Sequence, residues 1–190
     1  MTTSTPPSTP IRVLGISGSQ RKGSYNTALL HAARELAPAG MEIEIADIAP
    51  LPMYDDDVRV AGFPPVVEAL RTRMRAADAL LLVSPEYNRS VPAILKNAID
   101  WASRAPDQPF DGKPVAIMTA SPGALGGIMA NHHLRQILVF LNGQTVSGPE
   151  VAIGDAKAKF DEQGRLTHQP TRDFVAAHLA KLAALASRGR

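Results

Sequence analysis

Short apolar runs and amphipathic stretches take turns along this chain. Ile11 to Ser17, IRVLGIS, is an apolar run closed by a Gly/Ser cluster, the pattern of a strand buried on both faces. Next, Ala28, Leu29, Ala32, Ala33 and Leu36 recur at helical spacing. Ser24 or Asn26 can cap that helix, and Pro38 and Gly40 end it. Met41 to Ala46, MEIEIA, alternates Glu and Ile with a period of two, as a less buried strand at a sheet edge does. Pro50 to Pro65 reads as a long irregular connection, followed by a helix with Val66, Val67, Leu70 and Met74 on its inner side. Ala79 to Ser84, ALLLVS, is the most apolar run and is expected at the sheet centre.

The same alternation continues to the end of the chain. Pro92 or Ala93 opens a third helix, with Ile94, Leu95, Ala98, Ile99 and Trp101 at its apolar positions. Val115 to Ala120 is a fourth strand, Ile128 to Leu141 a fourth helix, Thr145 to Ile153 a fifth strand, and Thr171 to Ala186 the last helix. Five strand–helix alternations imply an α/β protein: a doubly wound parallel sheet with right-handed crossovers and helices on both faces. Five strands of this kind are most often ordered 2-1-3-4-5, and ligands then sit outside the carboxyl ends of strands one, three and four. Three loops leave those ends, Gly18 to Ser24, Pro85 to Pro92 and Ser121 to Gly127, and all are rich in Gly, Pro, Ser or Asn.

Length and composition narrow the classes. At 190 residues one core is expected, so residues 11–190 read as a single domain behind a Thr/Ser/Pro-rich tail, residues 1–10, expected to be disordered. The formal charge is +2 with 45% hydrophobic residues, and the cations are scattered, which is no nucleic-acid signature. The sequence has no cysteine, so disulfides, thiolate nucleophiles and iron–sulfur ligation are excluded and redox work requires a bound cofactor. Neither a signal peptide nor a run of about 18 apolar residues is present, and a cytoplasmic protein without a membrane partner is expected.

The first loop, GSQRKGSYN from Gly18 to Asn26, carries anion-binding chemistry. Ser19, Arg21, Ser24 and Asn26 surround Gly18 and Gly23 at the start of a helix, where backbone N–H groups are unpaired and the dipole favours negative charge. Arg21 can fork two phosphate oxygens. Gly18 and Gly23 have P-loop spacing, but Ser24 and Tyr25 stand where that motif requires Lys and Ser/Thr, which argues against triphosphate and magnesium binding. No GxGxxG fingerprint is present either. Response regulators share this topology but hold acidic metal ligands after strand one and a phospho-accepting Asp after strand three, where Arg21 with Lys22, and Pro85 with Glu86, stand here.

GSQRKGSYN together with SPEYNRSVPAILKNAIDW, Ser84 to Trp101, resembles the NADPH-dependent FMN reductase family over nearly the whole ordered chain. RAPDQPFDGKPVAI, Arg104 to Ile117, and HLRQILVFLN, His133 to Asn142, are similar to its bacterial chromate and quinone reductase branch. The resemblance implies a flavodoxin-like fold, FMN as cofactor, NADPH or NADH as co-substrate, and quinones or metal oxyanions such as chromate as acceptors. It also implies that Ser19, Arg21, Ser24 and Asn26 hold the FMN phosphate. Pro85, Glu86, Tyr87 and Asn88 would line the isoalloxazine, and Ser121, Gly123, Gly126 and Gly127 would border its pyrimidine side. A ping-pong reaction with no catalytic side chain follows, because hydride transfer to flavin needs alignment rather than a protein base. A homo-oligomer, dimer or tetramer, built through the third and fourth helices is likewise implied.

Two positions depart from the family pattern: Arg89 stands where a small or aromatic residue is common, and Ala93 where Gly is common, and Arg89 is the more consequential. It is a candidate for attracting the nicotinamide phosphate or an anionic acceptor, and a solvated or interface arginine is the competing reading. Asp55, Asp56 and Asp57 read as a solvated run, and no metal site is expected. His132 and His133 are adjacent on a helix and point apart, so packing, a subunit contact or solvent is their expected role. Two rival functions remain: an electron-carrier flavodoxin, although carriers are typically strongly acidic, and a non-redox anion or nucleotide-binding domain.

Overall fold

The computed structural model describes residues 9–189. Apart from Thr9 and Pro10, the tail expected to be disordered lies outside these described residues. The elements are β1 (Ile11–Ser17), α1 (Tyr25–Glu35), β2 (Met41–Ala46), α2 (Asp56–Ala61), α3 (Pro65–Ala76), β3 (Ala79–Ser84), α4 (Ala93–Ala102), β4 (Pro114–Ala120), α5 (Ile128–Phe140), β5 (Gln144–Thr145), β6 (Val151–Ile153) and α6 (Gln169–Ala186). All strand pairs in the sheet are parallel, and the order is β2-β1-β3-β4-β5, with β6 also on β4. This is the expected 2-1-3-4-5 flavodoxin-like sheet.

The pattern of burial follows strand position. Every residue of the central β3 is buried, whereas edge strand β2 buries Met41 and Ile43 and exposes Glu42 and Glu44. One core forms where α1 and α6 cover the sheet, through Leu29, Leu30, Val175 and Leu179. The opposite core is closed by α3, α4 and α5, through Leu70, Met74, Leu95, Ile99, Leu134 and Leu138. Buried Arg71 of α3 donates to the carbonyls of Ala102 and Arg104 at 2.7 Å each, pairing acceptors that the end of α4 leaves open.

Two expectations are corrected. The stretch expected to be irregular, Pro50 to Pro65, contains α2, and its acidic run is a helix start. Asp55 is the N-cap and accepts the Asp57 N–H at 2.9 Å, while Asp56 binds Arg59 at 2.6 Å. The bond to Arg59 first, and then the Tyr54 hydroxyl, push the Asp56 pKa down to about 2. No residue of α2 is buried, so the helix lacks the apolar stripe that reveals helices in a sequence. The fifth strand, expected to run unbroken from Thr145 to Ile153, is split. β5 pairs with Pro114 and Val115, β6 pairs with Met118 to Ala120, and the chain between them leaves the ladder at Ser147, Gly148 and Pro149. Pro149 has no N–H to give a sheet.

Candidate active site

At the carboxyl ends of β1, β3 and β4 the three loops converge on a cavity of about 400 Å³. Its lining includes Ser19, Arg21, Ser24, Asn26, Pro85, Glu86, Tyr87 and Ser121, eight residues singled out in the sequence, together with Tyr25, Ala120 and Pro122, which were not. Asn88, Arg89, Gly123, Gly126 and Gly127 lie in the same loops but are not among the lining residues.

The first loop is shaped by packing beneath it and capping beyond it. Gly18 donates to the Val83 carbonyl at 2.8 Å, and a Cβ at this position would come within 3.1 Å of Leu95 in α4, so a side chain here would crowd that leucine. Gly23 turns the chain with a φ of +68° in open space. Ser24 then caps α1, accepting the N–H groups of Asn26 at 3.2 Å and Thr27 at 3.4 Å. Its hydroxyl proton is left to donate into the cavity. Arg21 is exposed, with its guanidinium 5.9 Å from the Tyr25 ring centroid. Arg21 and Glu86 are the two charged residues of the lining.

Asn26 has a different job from the one the loop pattern suggests. Its amide nitrogen donates to the Ala120 carbonyl at 2.9 Å, and its amide oxygen accepts the Ala120 N–H at 2.9 Å. The side chain is 3% exposed and ties the start of α1 to the end of β4. With the amide oxygen and one amide N–H engaged, it shapes the cradle and keeps a single N–H to offer a phosphate.

The second loop is a tight hairpin. Tyr87 and Ser90 exchange backbone hydrogen bonds at 3.1 and 3.0 Å, with Asn88 and Arg89 at the tip at φ +48° and +63°. Two successive positive φ values make a type I′ turn, in which Asn is at ease and Arg is strained. The hairpin is clipped to α5 twice. One Glu86 carboxylate oxygen accepts the N–H groups of Met129 at 2.9 Å and Ala130 at 3.2 Å, and Ser90 Oγ lies 3.1 Å from His133 Nδ1. Because the N-cap of α5 is Gly127, which has no side chain, Glu86 supplies the cap from another loop, with its negative charge at the favourable end of the dipole.

The third loop is laced to β6 and the turn after it. Ser121 N–H donates to Ile153 O at 3.0 Å and Ala156 N–H to Ser121 O at 3.1 Å. Gly126 has a φ of +61°, and a Cβ on it would lie 2.5 Å from the Ala152 carbonyl carbon. Gly127 has a φ of +82°, and a Cβ on it would lie 3.1 Å from Thr119. These two glycines seat the loop on the strand and start α5. Gly154, which the sequence reading passed over, is equally constrained, since a Cβ there would meet Ala124 O at 2.2 Å.

The cavity thus has hydroxyls, an arginine and a helix start at one end, and at the other an apolar and aromatic wall, Pro85 and Tyr87, beside the backbone of Ser121 and Pro122. This sequence of surfaces fits a phosphate joined to a flat heteroaromatic ring, as in FMN. Among the described residues no group of three or more His, Asp or Glu gathers as a metal site would. No helix among them is long and apolar enough to cross a membrane.

Comparison with known proteins agrees with this geometry. Residues 11–158 match the model of the NADPH-dependent FMN reductase family. The chain is 55% identical over 172 residues to the NAD(P)H-dependent FMN reductase of Pseudomonas aeruginosa, covering 90% of this chain and 93% of that one. It is 47% identical over 172 residues to the quinone reductase of Escherichia coli, covering 89% and 92%. Among solved structures, the flavoenzyme NAD(P)H:(acceptor) oxidoreductase of Paracoccus denitrificans superimposes with a TM-score of 0.85 at 34% identity, over 93% of this chain and 97% of that one.

Proposed function

The chain belongs to the NADPH-dependent FMN reductase family, and from this premise we propose that it carries electrons from NADH or NADPH through FMN to quinones, with chromate and other metal oxyanions as further acceptors. The chain is an NAD(P)H-dependent flavin oxidoreductase with FMN as its cofactor. The observation that carries the proposed site is the meeting of the three loops in one cavity with a phosphate-type end and a ring-type end.

Bound FMN would accept a hydride and release two electrons, chemistry that no side chain of this protein supplies by itself. Arg21, Ser19 and Ser24 hold the phosphate, with the start of α1 adding its dipole. Pro85 and Tyr87 wall the ring and exclude water from one side. Ser121 borders the cavity where the polar edge of the ring would lie, and its hydroxyl, which accepts the Gly123 N–H at 3.1 Å, keeps a proton to donate there. Glu86 borders the cavity and fixes the hairpin against α5. Donor and acceptor use one open face in turn, so the kinetics are ping-pong.

Arg89, at the exposed hairpin tip beside this face, attracts the phosphate of the nicotinamide co-substrate or an anionic acceptor. Self-association is supported by apolar side chains that α5 leaves in solvent, Val139 and Phe140 at 76% and 87% exposure. We assign the protein to the cytoplasm, where its proposed co-substrates are found, as a dimer or tetramer of a single domain spanning residues 11–190.

The purified protein should be yellow, release FMN on denaturation, and oxidise NADH or NADPH continuously when a quinone is supplied. The Arg21→Ala, Ser24→Ala double variant should lose flavin. Unchanged FMN affinity in that variant would overturn the phosphate assignment, and a flavin-loaded protein unable to oxidise either nicotinamide would identify an electron carrier.

A further inference from the structure

A second cavity, of about 390 Å³, opens against the same phosphate loop. Arg21 and Ser24 line both cavities, so the two adjoin at the point assigned to the FMN phosphate. Its floor is one face of α1, Thr27, Ala28, His31, Ala32 and Glu35, residues that fall together at helical spacing. Its far wall is the turn Gln163 to Leu166.

That wall is rigid. Asp161 Oδ1 accepts the N–H groups of Gln163 at 3.0 Å and Arg165 at 2.8 Å, and the Asp161 N–H donates to Arg165 O at 3.0 Å. Phe160, just before the turn, packs on Tyr25 with ring centroids 5.5 Å apart. Gly164 brings the turn close to the helix: a Cβ there would stand 3.8 Å from that of Ala28. Arg165 leans on Asp161 through Nε at 2.7 Å, which fixes the root of a guanidinium that is otherwise largely exposed at the cavity wall. Lys22 contributes a second cation from the phosphate loop. With Arg21 the lining carries three cations and one carboxylate, Glu35, and Asp161 just behind the wall pairs with Arg165.

We propose that this cavity binds the adenosine-phosphate half of a dinucleotide. Its volume lies in the range of about 300–1,000 Å³ typical of small-molecule sites. The cations Lys22 and Arg165 suit phosphate oxygens beyond the one that Arg21 holds. Ala28, Ala32 and Leu166 give apolar surface that a purine can cover, and His31, Gln163 and Glu35 offer hydrogen-bonding groups at its margin. Two dinucleotides carry this half, FAD as an alternative flavin and NADPH as co-substrate. The inference rests on the proposed function, since it takes the shared end of the two cavities as the place of the flavin phosphate.

The test uses a Lys22→Ala, Arg165→Ala double variant, whose changes lie outside the residues assigned to FMN. Apoprotein is titrated with FMN and with FAD by flavin fluorescence, FMN-loaded protein is titrated with AMP by calorimetry, and the KM values for NADPH and NADH are compared. Loss of two charge-assisted contacts should weaken AMP binding by about tenfold or more while FMN affinity stays within roughly threefold of the parent. If FAD is the source, the FAD-to-FMN affinity ratio falls about tenfold as well. If NADPH is the source, its KM rises while that ratio holds. AMP binding, the FAD-to-FMN ratio and the NADPH KM all unchanged would overturn the inference. A parent apoprotein that takes up no FMN would instead overturn the proposed function.

Discussion

Replacing Asn26 by Ala separates two roles that the first loop allows for this residue. The wild-type amide pairs both the N–H and the carbonyl of Ala120, at 2.9 Å each, and both residues are 3% exposed. Alanine leaves two buried backbone groups without partners, at about 1–3 kcal/mol each. Because Ala120 borders the cavity, water relieves part of that cost, and a total of about 2–4 kcal/mol is expected. For a chain of 190 residues this lowers Tm by roughly 4–16 °C. The assay is thermal unfolding of the apoprotein, without flavin, so that a phosphate-binding role cannot contribute. Asn26→Asp should be destabilised too, because its carboxylate still accepts the Ala120 N–H but repels the Ala120 carbonyl that the amide satisfied. An apoprotein Tm within 2 °C of the parent, together with weakened FMN binding, would refute the clamp and restore Asn26 as a phosphate ligand.

Gly126→Ala places a methyl group 2.5 Å from the Ala152 backbone at a φ of +61°, and a loss of roughly 3 kcal/mol or more is expected in denaturant unfolding. Gly23→Ala, at a φ of +68° but in open space, should cost only about 1 kcal/mol in the same measurement. His178 is 2% exposed with its pKa pushed down to about 4, by burial first and then by Arg135 and Lys181. The unfolded chain therefore binds the proton first as pH falls. Stability from this residue should be complete above pH 6.5 and decline by about 3 kcal/mol toward pH 4, a decline that His178→Leu removes when the two are compared by denaturation at pH 7 and pH 4.5. Arg89→Glu should raise the apparent KM for NADPH or an anionic acceptor several-fold with flavin retained, and unchanged kinetics would return Arg89 to the solvent. Val139→Ser with Phe140→Ser should reduce the mass seen by light scattering, and a parent that is already a monomer at micromolar concentration would remove the oligomer.

The sequence by itself determined the sheet and the place of the site. ALLLVS could only be an interior strand, MEIEIA only an edge, and strands separated by helices of one hand lead to the order 2-1-3-4-5 and to a crevice at the ends of β1, β3 and β4. Those inferences rest on spacing within a few residues and on chain handedness, which a sequence displays. What tertiary structure decided was the use of each side chain within the site. Asn26 pairs with a residue 94 positions away and Glu86 caps a helix that begins 42 residues later, so the first reads locally as a phosphate ligand and the second as ring lining. Gly126 and Gly154 are fixed by backbone on neighbouring segments, and the fifth strand divides because only half of it can lie along each end of β4. A polar side chain near a helix start has several possible partners, and packing against distant chain, rather than its neighbours in sequence, selects among them.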